Sequence, residues 1–117
     1  MSDNEVHVQD RMPDDVIAAY VFDAALATGG VIAMGLNKSA AALRKNILGQ
    51  DKKTRGVRLT YDEESGYTID VYLIVAFGVN IPETAWNVQK KVHDGLINEY
   101  GIEPEDINIH IQGVYVE

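Results

Sequence analysis

Three histidines are the side chains best suited to metal binding or proton transfer near neutral pH. No two of His7, His93 and His110 have the spacing by which a zinc-protease helix holds its metal. His110 is the most informative, because it alternates with Asn108 and Gln112 on the polar side of a predicted strand. There it could donate hydrogen bonds to a ligand or a neighbouring chain, or simply be an exposed strand histidine.

A glycine-rich segment, GVIAMGLNKS at residues 30–39, contains the residue types of a phosphate-binding loop. In that motif the lysine directly follows the second glycine, so that its amine reaches the phosphates. Here Leu36 and Asn37 separate Gly35 from Lys38. We therefore expect a glycine helix cap followed by a helix start, and no nucleotide site.

Nucleophilic and acid–base catalysis lack candidates as well. The absence of cysteine excludes a disulfide, a thiolate metal site and a cysteine nucleophile, and it favours a reducing compartment. Ser2, Ser39 and Ser65 lie in predicted tail, cap and turn positions that do not fit a nucleophile elbow. The acids at 62–64 and 103–106 are expected to be solvated turn charges and not an acid–base pair. The sequence predicts no catalytic, cofactor-binding or metal-binding residue, and hence a protein that is not an enzyme.

The charge distribution is uneven. The chain has a net charge of −8, which on average repels nucleic acid and argues against nucleic acid as a partner. Residues 37–60, however, hold seven basic residues and one acid. This segment is either a solvated linker or a basic island that attracts an anionic ligand. Its candidates for binding an anion are Lys45, Lys52, Lys53, Arg55 and Arg58.

The elements that must position these residues begin with a helix. At 117 residues the chain is expected to form one domain, preceded by a flexible tail over residues 1–12. Asp14 begins a helix that Gly29 and Gly30 are predicted to end. Phe22 and Leu26 lie on a second side of this helix, which predicts a face for another element or subunit. A further helix is expected from Asn37 or Ser39 to Gly49, followed by a mobile loop over residues 50–56.

A hairpin follows, since the hydrophobic period changes from helical to two. One strand is predicted from Val57 to Asp62 and a longer one from Tyr67 to Val79. The outer side of the longer strand becomes apolar from Tyr72 onward, through Ile74 and Ala76. That end of the sheet should be covered by another element or form an interface.

The last elements are a helix and a strand. Asn80 and Pro82 predict a helix start, and the helix should run to Tyr100 with Gly101 as its stop. Trp86, in its first turn, is either a cover for the outer sheet face or a contact residue. A final strand over residues 107–112 completes an α+β fold. The expected architecture is a two-layer domain in which a small mixed sheet, the hairpin plus the C-terminal strand, carries helices mainly on one face.

Four segments in this order resemble the Asp23/Gls24 family of alkaline-shock, or envelope stress response, proteins. They are GVIAMG after the alanine-rich helix, GVRL at the hairpin, VAFGVNIPETAWNVQKKV, and INIHIQGV. The resemblance covers residues 14–116 and is most specific at residues 78–82 and 108–114. It implies an Asp23-like α+β domain over residues 13–117, a cytoplasmic location in Gram-positive bacteria, and no enzymatic activity or cofactor.

We therefore expect an interaction protein that binds itself as a homo-oligomer and binds a membrane-anchored partner. The chain has no apolar run long enough to cross a membrane, and its first residues do not read as a signal peptide. The alternative hypothesis is a module that binds nucleic acid or an anionic ligand through residues 38–58. The candidate interaction residues share exposed or apolar positions outside the predicted core: Phe22, Leu26, Tyr72, Ile74, Trp86, His110 and Gln112.

Overall fold

A computed structural model describes residues 12–35 and 55–116 as a two-layer α+β domain. Its elements follow in chain order: α1 (Asp14–Leu26), β1 (Val31–Met34), β2 (Val57–Asp62), β3 (Gly66–Ala76), α2 (Ile81–Tyr100) and β4 (Asp106–Tyr115). The expected fold class is confirmed. The helix expected between residues 37 and 49, most of the loop over 50–56 and the tail over 1–11 lie outside the described residues.

The sheet is mixed and is organised around β3. Both β1 and β2 pair with β3 in the antiparallel sense, β2 along its first half and β1 along its second. On the other side of β3, β4 pairs in parallel along almost its whole length. A register shift inserts Gln112 as an extra residue, since Leu73 lies opposite Ile111 and Ile74 opposite Gly113. Because β4 pairs only with β3 among the described strands, it forms one edge of the described sheet.

The hydrophobic core lies between the sheet and the two helices. Alternate residues of β3 from Tyr67 to Val75 point to this inner face and are buried, as the period-two pattern predicts. The helices contribute apolar stripes, with Val88, Val92 and Leu96 of α2 fully buried. Met12 also packs against this core. We call the opposite side of the sheet, where Asp70 and Tyr72 point, the outer face.

The ends of α2 confirm the prediction made from its caps. Asn80 accepts a hydrogen bond from the backbone N–H of Glu83 at 3.0 Å, and Pro82 lies in the first turn. Gly101 adopts the left-handed conformation that suits a helix C-terminus, with φ of 68°. Purely local sequence signals therefore place both ends of this helix.

The end of α1 corrects the prediction. The helix stops at Leu26, with Ala27 as a right-handed cap, and of the two glycines only Gly30 has a positive φ, at 93°. The Thr28 hydroxyl donates to the Ala24 carbonyl at 3.0 Å, so a side chain satisfies part of the helix end. The longer strand likewise ends at Ala76, three residues before Val79.

Candidate functional site

Two glycines join β1 and β2 at a single point on β3. Gly35 donates its N–H to the Tyr72 carbonyl at 2.6 Å, and Tyr72 donates its own N–H to the Gly56 carbonyl at 2.8 Å. Gly35 and Gly56 thus lie beside the same residue of the central strand. A side chain at Gly56 would meet the Gly35 carbonyl oxygen at 2.9 Å. The last residue described before the gap in the chain, Gly35, therefore lies close to Gly56, the second residue described after it.

Asp70 is the centre of a polar cluster on the outer face. Asp70 is only 7% exposed, although its side chain points to the side of the sheet opposite the helices. Oδ1 contacts Nε2 of His110 at 2.9 Å and accepts from Nδ2 of Asn108 at 3.3 Å. Oδ2 lies 3.7 Å from Nε of Arg58. An ionised carboxylate only accepts hydrogen bonds, so the contact with His110 requires the proton on Nε2.

An aromatic stack adjoins this cluster. The rings of Tyr72 and His110 are stacked, with centroids 4.5 Å apart and planes 14° from parallel. Further along the outer face Ile74 and Ala76 are half-buried, and Tyr115 lies opposite Ala76 with 54% of its surface exposed. The outer face thus changes from polar at Asp70 to apolar at Tyr115, as the sequence predicts from Tyr72 onward.

The Asp70 cluster consists of one carboxylate with three polar side-chain neighbours. Oδ1 of Asp70 makes hydrogen-bond contacts with His110 and Asn108, and Oδ2 lies at ion-pair distance from Arg58, at 3.7 Å. Within residues 12–35 and 55–116, no group of three histidine or acidic side chains is close enough to hold a metal ion. The outer face thus carries a stacked aromatic pair beside a buried carboxylate.

A second candidate surface is a groove between α2 and the start of β4. It has a volume of about 340 Å³, and its lining includes Trp86, Gln89, His93, Pro104, Glu105 and Ile107. Gln89 donates from Nε2 to the Ile107 carbonyl at 2.7 Å, which ties the helix to the strand. Trp86 is 57% exposed and lies on the helical side of the sheet. Its interpretation as a cover for the outer sheet face is therefore wrong, and its role as a contact residue stays a prediction.

The remaining predicted interaction residues are dispersed. Phe22 packs partly against the core, whereas Leu26 is exposed at the end of α1. Gln112 is the bulged residue of β4, and its side chain lies against Gly35. The structure therefore brings together Tyr72, Ile74, His110 and Gln112, and places Phe22, Leu26 and Trp86 elsewhere.

The anion-binding candidates are described only in part. Arg55 and Arg58 are exposed, and Arg58 lies near the Asp70 carboxylate. The other three candidates, Lys45, Lys52 and Lys53, lie outside the described residues. A carboxylate beside Arg58 offsets part of its attraction for an external anion.

The sequence predicts the apolar end of the outer face from Tyr72 onward, but it did not single out Asp70, nor Phe77 and Tyr115 at that end. An acid in the middle of an otherwise apolar strand is a signal that could have identified Asp70. Phe77 and Tyr115 are exposed at that end, where the Phe77 N–H donates to the Tyr115 carbonyl at 2.9 Å. Only the strand register shows that these two residues, far apart in sequence, are neighbours.

The described chain folds as a small α+β domain in which the helices cover one face of the sheet. The family model for the Asp23 family, described as having a cell envelope-related function, matches residues 2–116. The chain therefore belongs to the Asp23 family, and the resemblance seen in its sequence is confirmed.

Curated relatives support this assignment. The chain is 33% identical over 103 residues to the uncharacterized protein YloU of Bacillus subtilis, covering 88% of this chain and 85% of the relative. It is 34% identical over 100 residues to the uncharacterized protein YqhY of the same organism, covering 86% and 72%. The uncharacterized protein Spy1614 of Streptococcus pyogenes is 28% identical over 106 residues, covering 91% and 87%. No solved structure matches the chain.

The helices α1 and α2 do not resemble membrane spans. In the part of the chain that the structure describes, no helix is both long enough and apolar enough to cross a bilayer.

Proposed function

We propose that this Asp23-family chain acts without catalysis in the cell-envelope stress response of Gram-positive bacteria, by associating with itself and docking to a membrane-anchored partner. The cell envelope-related description of the family supports the setting, and the relatives named above come from Bacillus and Streptococcus. In this proposal the protein is cytoplasmic and reaches the membrane only through its partner.

The observation that carries the proposal is the apolar end of the outer sheet face. Both described helices pack on the inner face, so they leave Tyr72, Ile74 and Ala76 without a helical cover. Tyr115 extends this surface with half of its area exposed. Burying apolar surface of this kind favours association by about 25 cal/mol per Å², which suits a protein-binding face.

The polar end of the same face argues for recognition rather than for chemistry. The Asp70 carboxylate already contacts His110, Asn108 and Arg58, so a partner meets a pre-organised surface. The alternative of a nucleic-acid or anion-binding module depends mainly on residues outside the described ranges, and it stays a prediction.

Light scattering coupled to size exclusion tests self-association. Wild-type protein should show a mass above 12.9 kDa that rises with concentration. Tyr72→Lys should shift the equilibrium toward the monomer, because it places a charge on the apolar part of the face. Thr60→Lys is the matched control, since Thr60 is exposed on β2. A wild-type monomer at the highest soluble concentration would contradict the proposal.

Fractionation of cells tests the membrane partner. The wild-type chain should sediment with membranes, and protease treatment of the membrane proteins should release it. Trp86→Ala and Tyr72→Lys should reduce this association if their surfaces contact the partner. Equal binding of purified chain to protein-free lipid vesicles would instead indicate direct lipid contact and contradict docking through a protein.

A further inference from the structure

The free edge of β4 is the longest open strand edge in the described structure. β4 runs over ten residues and pairs with β3 on one side. Among the residues described, no strand pairs with its other side. Gln89 of α2 already donates to the Ile107 carbonyl near the start of the strand. The rest of the edge is a template for another strand, because its outward backbone N–H and C=O groups lack a ladder partner.

This edge carries few of the features that prevent strand addition. Exposed edge strands are usually protected by lysine, proline or inward-pointing charges. Residues 106–116 contain no lysine, arginine or proline, and Asp106 at the start is their only acid. The strand is thus almost neutral in a chain whose net charge is −8. Two copies can approach here with less electrostatic repulsion than over most of the surface.

The inner side of β4 is incompletely buried. Ile107 is buried, but Ile109 and Ile111 are only half-buried, and Val114 and Val116 are 46% and 65% exposed. An additional strand on this edge would extend the sheet and cover these side chains. The described residues of a single chain therefore leave the inward apolar side chains of β4 partly exposed, and a strand from another chain could cover them.

We propose that the neighbour is the β4 strand of a second copy, paired in the antiparallel sense about a two-fold axis at His110. This arrangement rests on the self-association proposed above and locates one contact of it at the edge of β4, beside the outer face. With the bulged Gln112 of each copy left out of the ladder, Ile109 lies opposite Ile111 of the second copy and Ile107 opposite its Val114. Every inward residue then meets an inward residue, as a continuous sheet requires.

The groove beside α2 favours the same occupant. In this register the end of the second strand, with Val114 and Val116, lies next to Ile107 and the groove that contains Trp86. The exposed valines thus meet an exposed tryptophan, and the two-fold axis repeats that contact in the other half of the dimer. The contact adds apolar burial at both ends of a strand pair that is held together mainly by backbone hydrogen bonds.

Engineered cysteines test the register directly, since the chain has no cysteine of its own. Residues directly opposite in antiparallel strands have Cα atoms about 4.5–5.5 Å apart, which is within the range of a disulfide. His110→Cys should therefore give a covalent dimer under mild oxidation. Thr60→Cys, on β2, is the exposed control and should remain mostly monomeric.

A second pair keeps the test independent of the His110 contacts. Asn108 lies opposite Gly113 of the second copy in the proposed register, so a mixture of Asn108→Cys and Gly113→Cys chains should cross-link. Neither variant alone should do so, because identical residues are then about 13 Å apart along the ladder. Gly113 tolerates the change, since a Cβ there meets nothing closer than 4.0 Å.

The outcomes separate the two proposals. Cross-linking of His110→Cys and of the mixture, above the Thr60→Cys control, supports pairing through β4. A wild-type chain that associates in solution but whose cysteine variants cross-link no more than the control overturns the β4 arrangement and leaves self-association standing. A strictly monomeric wild type overturns both.

Discussion

Nε2 of His110 lies 2.9 Å from Oδ1 of Asp70, although the two residues are not directly opposite in the sheet. The register pairs His110 with Tyr72 and Asp70 with Asn108. His110 therefore stacks on its opposite neighbour and reaches diagonally along the ladder to the carboxylate. This diagonal contact links the polar and apolar parts of the outer face, and it fixes the ring at the proposed two-fold axis.

Asp70→Asn should destabilise the fold by about 1–3 kcal/mol, because a charged acceptor is lost while its donors remain. An amide cannot offer an acceptor oxygen to both His110 and Arg58 in the observed arrangement. Urea denaturation monitored by circular dichroism measures the change. Asp106→Asn, an exposed acid on the neighbouring strand, should change stability by less than about 0.5 kcal/mol. Equal effects of both variants would contradict a structural role for the cluster.

The sequence predicts those features that depend on local signals. The caps of α2 at Asn80 and Gly101 and the hairpin strand Val57–Asp62 follow from residues only a few positions apart. The Asp70–His110 contact joins residues forty positions apart and depends on parallel pairing, which periodicity alone does not reveal. α1 ends at Leu26, and the Thr28 hydroxyl beyond it donates to the Ala24 carbonyl, a contact that the pattern of glycines does not predict. The hydrophobic period and the capping residues thus locate the helices and strands. The contacts of the site depend on the pairing register of strands that are distant in sequence.

Gly56→Ala should destabilise the fold by at least about 2 kcal/mol, measured by thermal or urea denaturation. Its φ is 78°, and a Cβ would meet the Gly35 carbonyl oxygen at 2.9 Å and Met34 Cβ at 3.0 Å. Gly66→Ala is the matched control, because its φ of 93° is also positive but its Cβ would have no neighbour within 4 Å. The control should lose only about 1–2 kcal/mol. An equal loss in both variants would mean that the junction between β1 and β2 is not tightly packed.

Gly95→Ala should destabilise the protein, although alanine in a helix interior usually gains about 0.5–1 kcal/mol over glycine. A Cβ at this position of α2 would lie 2.6 Å from Cζ of Tyr20, on α1. The Tyr20 ring also packs edge-on against Tyr100, with centroids 5.5 Å apart, which limits its retreat.

A double-mutant cycle with Tyr20→Ala separates the two effects. Once the ring is removed, Gly95→Ala should become stabilising, because only helix propensity remains. Chemical denaturation of the four proteins gives the coupling energy. A Gly95→Ala change that stabilises the wild-type background would show that Tyr20 moves away freely.

Asp62 should contribute to stability in a pH-dependent way. Oδ1 of Asp62 accepts hydrogen bonds from the backbone N–H groups of Glu64 at 2.8 Å and Ser65 at 3.2 Å. These bonds, of which the one from Glu64 has the larger effect, hold the pKa of the Asp62 carboxyl below its ordinary value. A carboxyl whose pKa is lower in the folded state contributes stability above its unfolded pKa. That contribution is lost as the pH falls through the folded pKa.

Asp62→Asn should therefore be less stable than the wild type at pH 7, and the difference should shrink below about pH 4. Urea denaturation across this range measures the difference, and NMR titration of the Asp62 carboxyl carbon gives its midpoint. A constant difference with pH, together with an ordinary midpoint, would show that the turn does not hold the charge of Asp62.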